Sequence, residues 1–389
     1  MQLEMAGILH ALPLAVLQYA LNANRRGHTM RAAVFRDGDI VVDTIPDPVL
    51  AEGQVLARTL ACGICGSDLH AAKHTRQFVD LARRSGNRWA MDPARDVVFG
   101  HEFCCEIVDH GPATTRQLKP GTLACSMPMT LAGNTVQGIG YSNDIAGGFA
   151  QYMPLAERLL LPVPNGLPAA HAALTEPMAV GWHAVQHARL TKQDVPLVIG
   201  CGPVGLAVIA GLKLADAHPI IAADFSPARR ALALRMGADI VVDPAASSPY
   251  ASWQQAATPE GYDASRYARL FDLGPRQRPG VIFECVGVPG VIAQVMDGAP
   301  AGARVVVVGV CMQTDQFEPF FGIVKQLNLQ FVLAYTREEF AASLHHIAEG
   351  MIDVTPLITG QVGLDGVKDA FAALANPEQH AKVLVDPWR

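Results

Sequence analysis

Several side chains in the amino-terminal half have the chemistry to hold a reactive divalent cation. The run Gly63-Ile64-Cys65-Gly66-Ser67-Asp68-Leu69-His70 brings a thiol, a hydroxyl, a carboxylate and an imidazole close together, and Gly100-His101-Glu102 and Glu176-Pro177 follow later. A thiolate, an imidazole and carboxylates form a sensible ligand set for a catalytic zinc, which keeps one position open to substrate. Singly, none of them is diagnostic. A lone cysteine is more often a buried apolar residue and a lone histidine a satisfied core residue, so the combined contexts carry the reading. Cys62 and Cys65 form a C-x-x-C, but no second one follows and Cys62 ends the strand-like run Thr59-Leu60-Ala61-Cys62, which argues against a redox pair or zinc knuckle. Cys104, Cys105 and Cys125 also fall among strand-like residues, and Cys201, Cys285 and Cys311 lie near turns, so all six read as core or strand thiols.

A second constellation lies further on. Gly200-Cys201-Gly202-Pro203-Val204-Gly205 has the form G-x-G-x-x-G, directly follows the apolar run Val195–Ile199 and opens a helical stretch, and Asp224 ends the next strand. The glycines allow a tight turn, close approach of backbone to a pyrophosphate and close helix packing. The helix start then offers N–H groups and a positive dipole end to phosphates. A glycine-rich turn with no ligand is the competing reading, and the strand, helix and acid around it favour a dinucleotide. A carboxylate at Asp224 accepts hydrogen bonds from the adenosine ribose and repels a 2′-phosphate, so NAD is expected over NADP. Arg229 reads equally as a residue lying over the adenosine or as a plain exposed helix residue.

These residues need two kinds of scaffold. From residue 30 to about 153, short β-branched runs are broken by Gly, Pro and Asp, with strands expected at Ile40-Val41-Val42, at residues 54–58 and at residues 103–108. Residues 75–95 read as a polar surface excursion with room for a short helix. From about Gly181 apolar strands alternate with helices, the pattern of a parallel, doubly wound sheet, interrupted by an apparent insertion over residues 244–279. The chain of 389 residues is thus expected to form a β-rich catalytic domain from residues 30–180 and 331–389 and a dinucleotide domain from residues 181–330. Residues 1–29 stand apart: a start codon placed too early, a genuine helical extension and a targeting signal compete, and the apolar stretch lacks the preceding positive charge of a secretory signal.

Composition narrows the function. A net charge of −6 without like-charge runs argues against a nucleic-acid partner. No apolar run is long enough to span a bilayer, so no membrane role is expected. Eight scattered cysteines do not form a secreted disulfide framework, and reduced thiols in a cytoplasmic enzyme are expected.

The motifs from Cys65 to His70, Gly100-His101-Glu102, Glu176-Pro177-Met178-Ala179-Val180-Gly181 and Gly200 to Gly205 occur in the order found in zinc-containing medium-chain alcohol dehydrogenases. The chain resembles that family from about Met30 onward, and the sorbitol and threonine dehydrogenase branch most. The resemblance implies an α/β protein with a β-rich GroES-like catalytic domain and a doubly wound Rossmann domain. It implies one catalytic zinc and NAD as cofactors, with Cys65 and His101 as ligands and either Glu102 or Glu176 as the third. It casts Asp68 as the carboxylate orienting the histidine ligand, Ser67 as the hydroxyl at the substrate oxygen and His70 as the outer end of a proton relay. Val286, Val308 and Val310 resemble residues facing the nicotinamide, and Lys382 a residue reaching the pyrophosphate. Many relatives carry four clustered cysteines for a structural zinc, and residues 126–147 contain none. The long stretch between His70 and His101 separates this chain from relatives near the expected active-site mouth.

The implied reaction is hydride transfer between an alcohol or polyol, or the matching carbonyl, and NAD, with an open zinc as Lewis acid and closure of the domains excluding water. The alternatives are a zinc- and NAD-containing relative doing aldehyde dismutation or lyase chemistry, a zinc-free reductase of the same superfamily, and a non-catalytic NAD-binding sensor or structural protein. Trp89, Phe99 and Trp182 are candidates for the substrate pocket, each equally readable as packing. The resemblance also implies a homodimer or homotetramer.

Overall fold

Residues 28–86, 91–132, 135–262 and 277–389 are described in the computed structural model. The expectations for residues 1–27 and for Trp89 lie outside the described residues. The chain opens with a hairpin of β1 (Thr29–Arg36) and β2 (Asp39–Pro46), closed by Asp37 and Gly38, both at positive φ, as a two-residue hairpin loop requires. Strand β3 (Gln54–Gly63) leads into α1 (Gly66–Lys73) and α2 (Thr75–Arg84), and β4 (Glu102–His110) returns antiparallel beside β3. Then come β5 (Leu123–Ser126), β6 (Met129–Ala132), β7 (Thr135–Gly138), β8 (Tyr152–Ala156), β9 (Leu160–Pro162) and the single turn α3 (Ala169–Ala172).

The middle of the chain alternates helix and strand. It runs through α4 (Thr175–His187), β10 (Val195–Ile199), α5 (Pro203–Leu214), β11 (Ile221–Ala223), α6 (Pro227–Met236), β12 (Ile240–Val242) and α7 (Pro249–Ala257). It continues through β13 (Gly280–Glu284), α8 (Val291–Gly298), β14 (Arg304–Val307), α9 (Pro319–Lys325), β15 (Asn328–Phe331) and α10 (Arg337–Ala348). Six of these strands pair in parallel in the order β12-β11-β10-β13-β14-β15, the doubly wound Rossmann-like sheet expected. Helices on both faces explain why β13 is buried throughout its length instead of alternating. The chain ends with β16 (Ile358–Val362), α11 (Val367–Leu374) and β17 (Lys382–Val385), which complete a seven-stranded GroES-like sheet running β16-β17-β3-β4-β5-β9, with β8 also on β3.

Two compact units result. The first runs to Leu174 and adds Gly360–Ala372 and Val383–Arg389, while the second is Thr175–Thr359 with Ala373–Lys382. The chain therefore returns to the first unit near residue 360 and not near 331 as expected, because α10 packs on α4 and α4 on α5. The expected insertion over residues 244–279 also needs correction. Its first part is the helix α7, which packs on β10 and β11, and residues 263–276 lie outside the described residues. Ser248 and Pro249 read as loop punctuation, yet they are the N-cap and first residue of that helix, with Ser248 Oγ accepting from Ala251 N at 3.4 Å. Trp253 sits in the core beside Leu197, Ile221 and Val305 and donates its Nε1–H to the Val195 carbonyl at 2.9 Å. No helix among the described residues is long and apolar enough to cross a membrane.

Candidate active site

In the β3/β4 register Gly63 faces Glu102. The chain leaving β3 and the chain entering β4 therefore meet at one end of the sheet, which brings Cys65 beside His101 and Glu102. The ligand atoms of these three residues lie within 4.8 Å of one another, and they form the one such cluster found among the described residues.

Helix α1 fixes the thiol. Cys65 is its N-cap, its backbone N–H donates to Asp68 Oδ2 at 3.0 Å, and Asp68 N–H donates to the Cys65 carbonyl at 3.1 Å. A carboxylate in the first turn also meets the positive end of the helix dipole. Asp68 Oδ1 lies 3.2 Å from His101 Nδ1, an ion-pair distance off the line of a hydrogen bond. Nε2 of His101 faces Ser67 Oγ at 3.5 Å, and Ser67 Oγ donates to Cys65 Sγ at 3.0 Å. Burial alone would push the His101 imidazole pKa down, but the negative charges of Asp68 and then Cys65 outweigh it and hold the pKa well above its ordinary value. A pocket that favours positive charge and presents S, N and O donors together fits a zinc ion.

His70 is exposed in the last turn of α1, with its pKa lowered by partial burial and then by His74 and Lys73. Glu176 lies in the first turn of α4, in the second unit, and accepts a hydrogen bond from Tyr335 at 3.0 Å. Of the two candidate third ligands, Glu102 is the one clustered with Cys65 and His101.

Sequence reasoning missed Tyr141. Its hydroxyl donates toward Ser67 Oγ at 2.8 Å and Asp68 Oδ1 at 3.2 Å. Burial, then the charges of Asp68 and Cys65, raise its pKa well above the ordinary phenol value, so it stays protonated. A lone Tyr in Gly138-Ile139-Gly140-Tyr141 carries no motif signal, and only the fold shows its partners. Phe99 is core, with its ring 5.1 Å from Phe35 and 6.5 Å from Phe371, and Trp182 packs edge-on against His346 at 5.4 Å.

The second unit carries the glycine turn at the carboxyl end of β10. Gly200 N–H donates to the Ala223 carbonyl at 2.8 Å, and Pro203 and Val204 open α5 with Gly202 as N-cap. A Cβ on Gly205 would collide with the Gly200 carbonyl oxygen, whereas one on Gly202 would meet nothing nearer than Arg229 Nη1 at 4.0 Å. Space over Gly202 beside the unpaired N–H groups of a helix start is a fitting cradle for a pyrophosphate. Asp224 holds the turn from the side, with Oδ2 accepting from Cys201 N at 2.7 Å and Oδ1 from Ser226 N at 2.8 Å. Arg229 reaches the same turn, and its Nε is buried without a hydrogen-bond partner.

Sequence reasoning also missed Glu284, which is buried at the end of β13. Its Oε1 accepts from Val286 N at 2.7 Å and Gly287 N at 2.9 Å, and its carbonyl accepts from Val308 N and Gly309 N at 2.9 Å each. Val286 and Val310 are exposed and Val308 is buried. Lys382 is buried at the head of β17, where its backbone N–H donates to Thr359 Oγ1 at 3.2 Å.

Comparison with known proteins places these features. The family model for the alcohol dehydrogenase GroES-like domain matches residues 51–165, and that for the zinc-binding dehydrogenase matches residues 203–349. The (R,R)-butanediol dehydrogenase of Bacillus subtilis strain 168 is 30% identical over 368 residues, covering 92% of this chain and 100% of that protein. The crystal structure of the 2R,3R-butanediol dehydrogenase from Bacillus subtilis aligns with a TM-score of 0.74 at 29% identity, over 92% of this chain and 99% of that one. The sorbitol dehydrogenase of Bacillus subtilis strain 168 is 26% identical over 375 residues, 92% of this chain and 98% of that protein. A protein of Sinorhizobium meliloti 1021, solved bound to NADP, aligns with a TM-score of 0.75 at 26% identity, over 92% of this chain and 100% of that one.

The two glycines should separate binding from folding. Gly202→Ala should keep the wild-type urea midpoint and weaken NADH binding about tenfold, by filling the phosphate cradle. Gly205→Ala should cost about 1–3 kcal/mol of stability through overpacking. Fluorescence titration with NADH and urea unfolding read the two effects, and equal unfolding midpoints for the two variants would overturn the assignment.

Proposed function

The chain belongs to the medium-chain zinc alcohol dehydrogenase family, and on that premise we propose that it oxidises a small alcohol or polyol with one catalytic zinc per chain and NAD as the preferred cofactor. As a member, it is an NAD(P)-dependent oxidoreductase acting on an alcohol or polyol and the matching aldehyde or ketone. The convergence of Cys65, His101 and Glu102 beside Ser67 carries the zinc reading.

Cys65 and His101 would hold the zinc with Glu102 as the third ligand. When bound there, it would supply Lewis acidity that makes the proton of an alcohol easier to lose. Ser67 Oγ lies 3.0 Å from Cys65 Sγ and 3.5 Å from His101 Nε2, where its hydroxyl would accept the alcohol's proton while giving up its own toward the outside. Asp68 faces Nδ1 of His101 at an ion-pair distance, so Nε2 is the ring nitrogen that would be left for the metal. His70, exposed in the last turn of α1, would be the outer group that hands that proton to water; partial burial, then His74 and Lys73, hold its pKa below the ordinary imidazole value, which favours the neutral ring. On the other unit, Glu284 sets the backbone of Val286 and Gly287 and of Val308 and Gly309, which would face the nicotinamide end of the cofactor.

Metal analysis and a screen of vicinal diols, polyols, primary alcohols and aryl alcohols test the reading together. One zinc per chain is expected, chelation should abolish alcohol oxidation while the circular dichroism spectrum persists, and Ser67→Ala should lower kcat about a hundredfold. Activity retained in metal-free protein would remove the zinc mechanism.

A relative solved with NADP makes cofactor choice a property of individual residues. The Asp224 carboxylate, fixed by Cys201 and Ser226 N–H groups at the end of β11, supports NAD by repelling a 2′-phosphate. Asp224→Gly should narrow or reverse the preference, with Arg229 then able to meet a phosphate. A wild-type kcat/KM higher for NADP than for NAD would refute it.

We also propose self-association through the β15 side of the parallel sheet. β15 is an edge strand, and Phe331 at its end, Leu333 just beyond it, and Phe320 and Ile323 on α9 are between 61% and 80% exposed. An edge strand flanked by exposed apolar side chains offers unpaired backbone that a second copy can continue symmetrically, edge to edge. Sedimentation velocity should give a dimer or tetramer for the wild type and a smaller species for Phe331→Asp/Leu333→Asp, and a wild-type monomer would refute the interface.

A further inference from the structure

We propose that Tyr141 is a positioning residue of the active site, anchoring Ser67 and Asp68 at once, and that α2 holds it in place through Phe78. The inference rests on the zinc reading above and extends it to a residue and a helix outside its motifs.

The buried carboxylate of Asp68 needs donors on both oxygens. Oδ2 is taken by the Cys65 N–H, while Oδ1 lies 3.2 Å from both the Tyr141 hydroxyl and His101 Nδ1. The histidine approach is off-line, so the phenol is the hydrogen-bond donor to the oxygen that faces the histidine. Without it, a carboxylate with no solvent contact would lose a partner, and such a loss is costly.

The same phenol constrains Ser67, 2.8 Å away. One phenolic proton serves one acceptor at a time. When it points to Ser67 Oγ, the serine proton is directed to Cys65 Sγ. When it points to Asp68, the phenol oxygen can accept the serine proton instead. Either way the serine oxygen keeps its place, the requirement for a hydroxyl that must both take and give a proton.

The ring is held from several sides. Phe78 of α2 lies 5.4 Å from it, Phe99 6.1 Å in an edge contact and His101 5.3 Å. Val79 of α2 is buried, and α2 packs on α1. The backbone around Tyr141 is pinned by Ile139 N to the Pro128 carbonyl at 2.9 Å and Gly147 N to the Val98 carbonyl at 3.0 Å. Asn143 Nδ2 donates to the carbonyls of Asp92, Arg95 and Asp96. The long stretch between His70 and His101 thus supplies a wall of the site, and a residue from a lobe without soft metal ligands completes it.

The test compares zinc-loaded wild type with Tyr141→Phe, which keeps the ring and removes the hydroxyl, and with Phe78→Leu, which keeps the hydroxyl and removes its ring support. Tyr141→Phe should lower kcat about tenfold with KM for the alcohol nearly unchanged, and should transfer zinc to a chromogenic chelator about tenfold faster, the scale for losing a partner behind a metal-bound histidine. Phe78→Leu should move both readouts the same way by less, and it carries the test if Tyr141→Phe does not fold. Either readout within about twofold of wild type in Tyr141→Phe would reduce Tyr141 to packing and overturn the proposal. Wild-type protein that binds no zinc would overturn the metal reading and this inference with it, a result seen without any variant.

Discussion

Asp68 brings a carboxylate into the interior with no contact with solvent, and the first unit is arranged around making that tolerable. An isolated buried charge costs several kcal/mol, so it persists only where donors converge on it. The Cys65 N–H satisfies one oxygen by way of the first turn of α1, and Tyr141 and His101 approach the other. These same contacts fix the thiol, the imidazole and, through the phenol, the serine hydroxyl. Desolvation and the geometry of the site are therefore one problem here with one solution, and the β3/β4 register that puts Gly63 opposite Glu102 brings a further carboxylate to the same place.

The second unit repeats the logic with different parts. Asp224 at the end of one strand and Glu284 at the end of another each accept two backbone N–H groups from neighbouring turns. A carboxylate at a strand terminus organises loops that have no other reason to adopt a single conformation. The parallel sheet brings the ends of β10, β11, β13 and β14 to one edge, so these loops form a continuous rim.

Much of this was legible in the sequence because the chemistry is local. Cys65, Ser67, Asp68 and His70 lie within about two turns of one helix, and the glycine turn spans a strand end and a helix start, so spacing alone announces them. Alternation and apolar runs gave the strands for the same reason. What escaped depends on contacts remote in sequence. Tyr141 meets Ser67 across a lobe with no motif. Glu284 acts on backbone and leaves no pattern. The unit boundary near residue 360 is set by α10 docking on α4, a helix–helix contact that composition does not announce. Ser248-Pro249 misled because the same residue types punctuate loops and start helices. The choice between Glu102 and Glu176 could not be made from spacing, since both sit beside motif residues, and it took the strand register to group one of them with Cys65.

Irregular backbone at a protein surface usually invites tags and grafted loops, and residues 139–149 look like such a place. They are not. Gly147 lies so close to the backbone of Phe99 and Gly100 that an added methyl group would strike the Phe99 carbonyl, and Gly148 N donates to the Gly100 carbonyl at 2.8 Å, one residue from His101. An epitope or fluorophore inserted there would push on the segment that carries the imidazole into β4. The tip of the first hairpin is the better graft site, because Gly38 has no neighbouring atom within 4 Å of a would-be side chain.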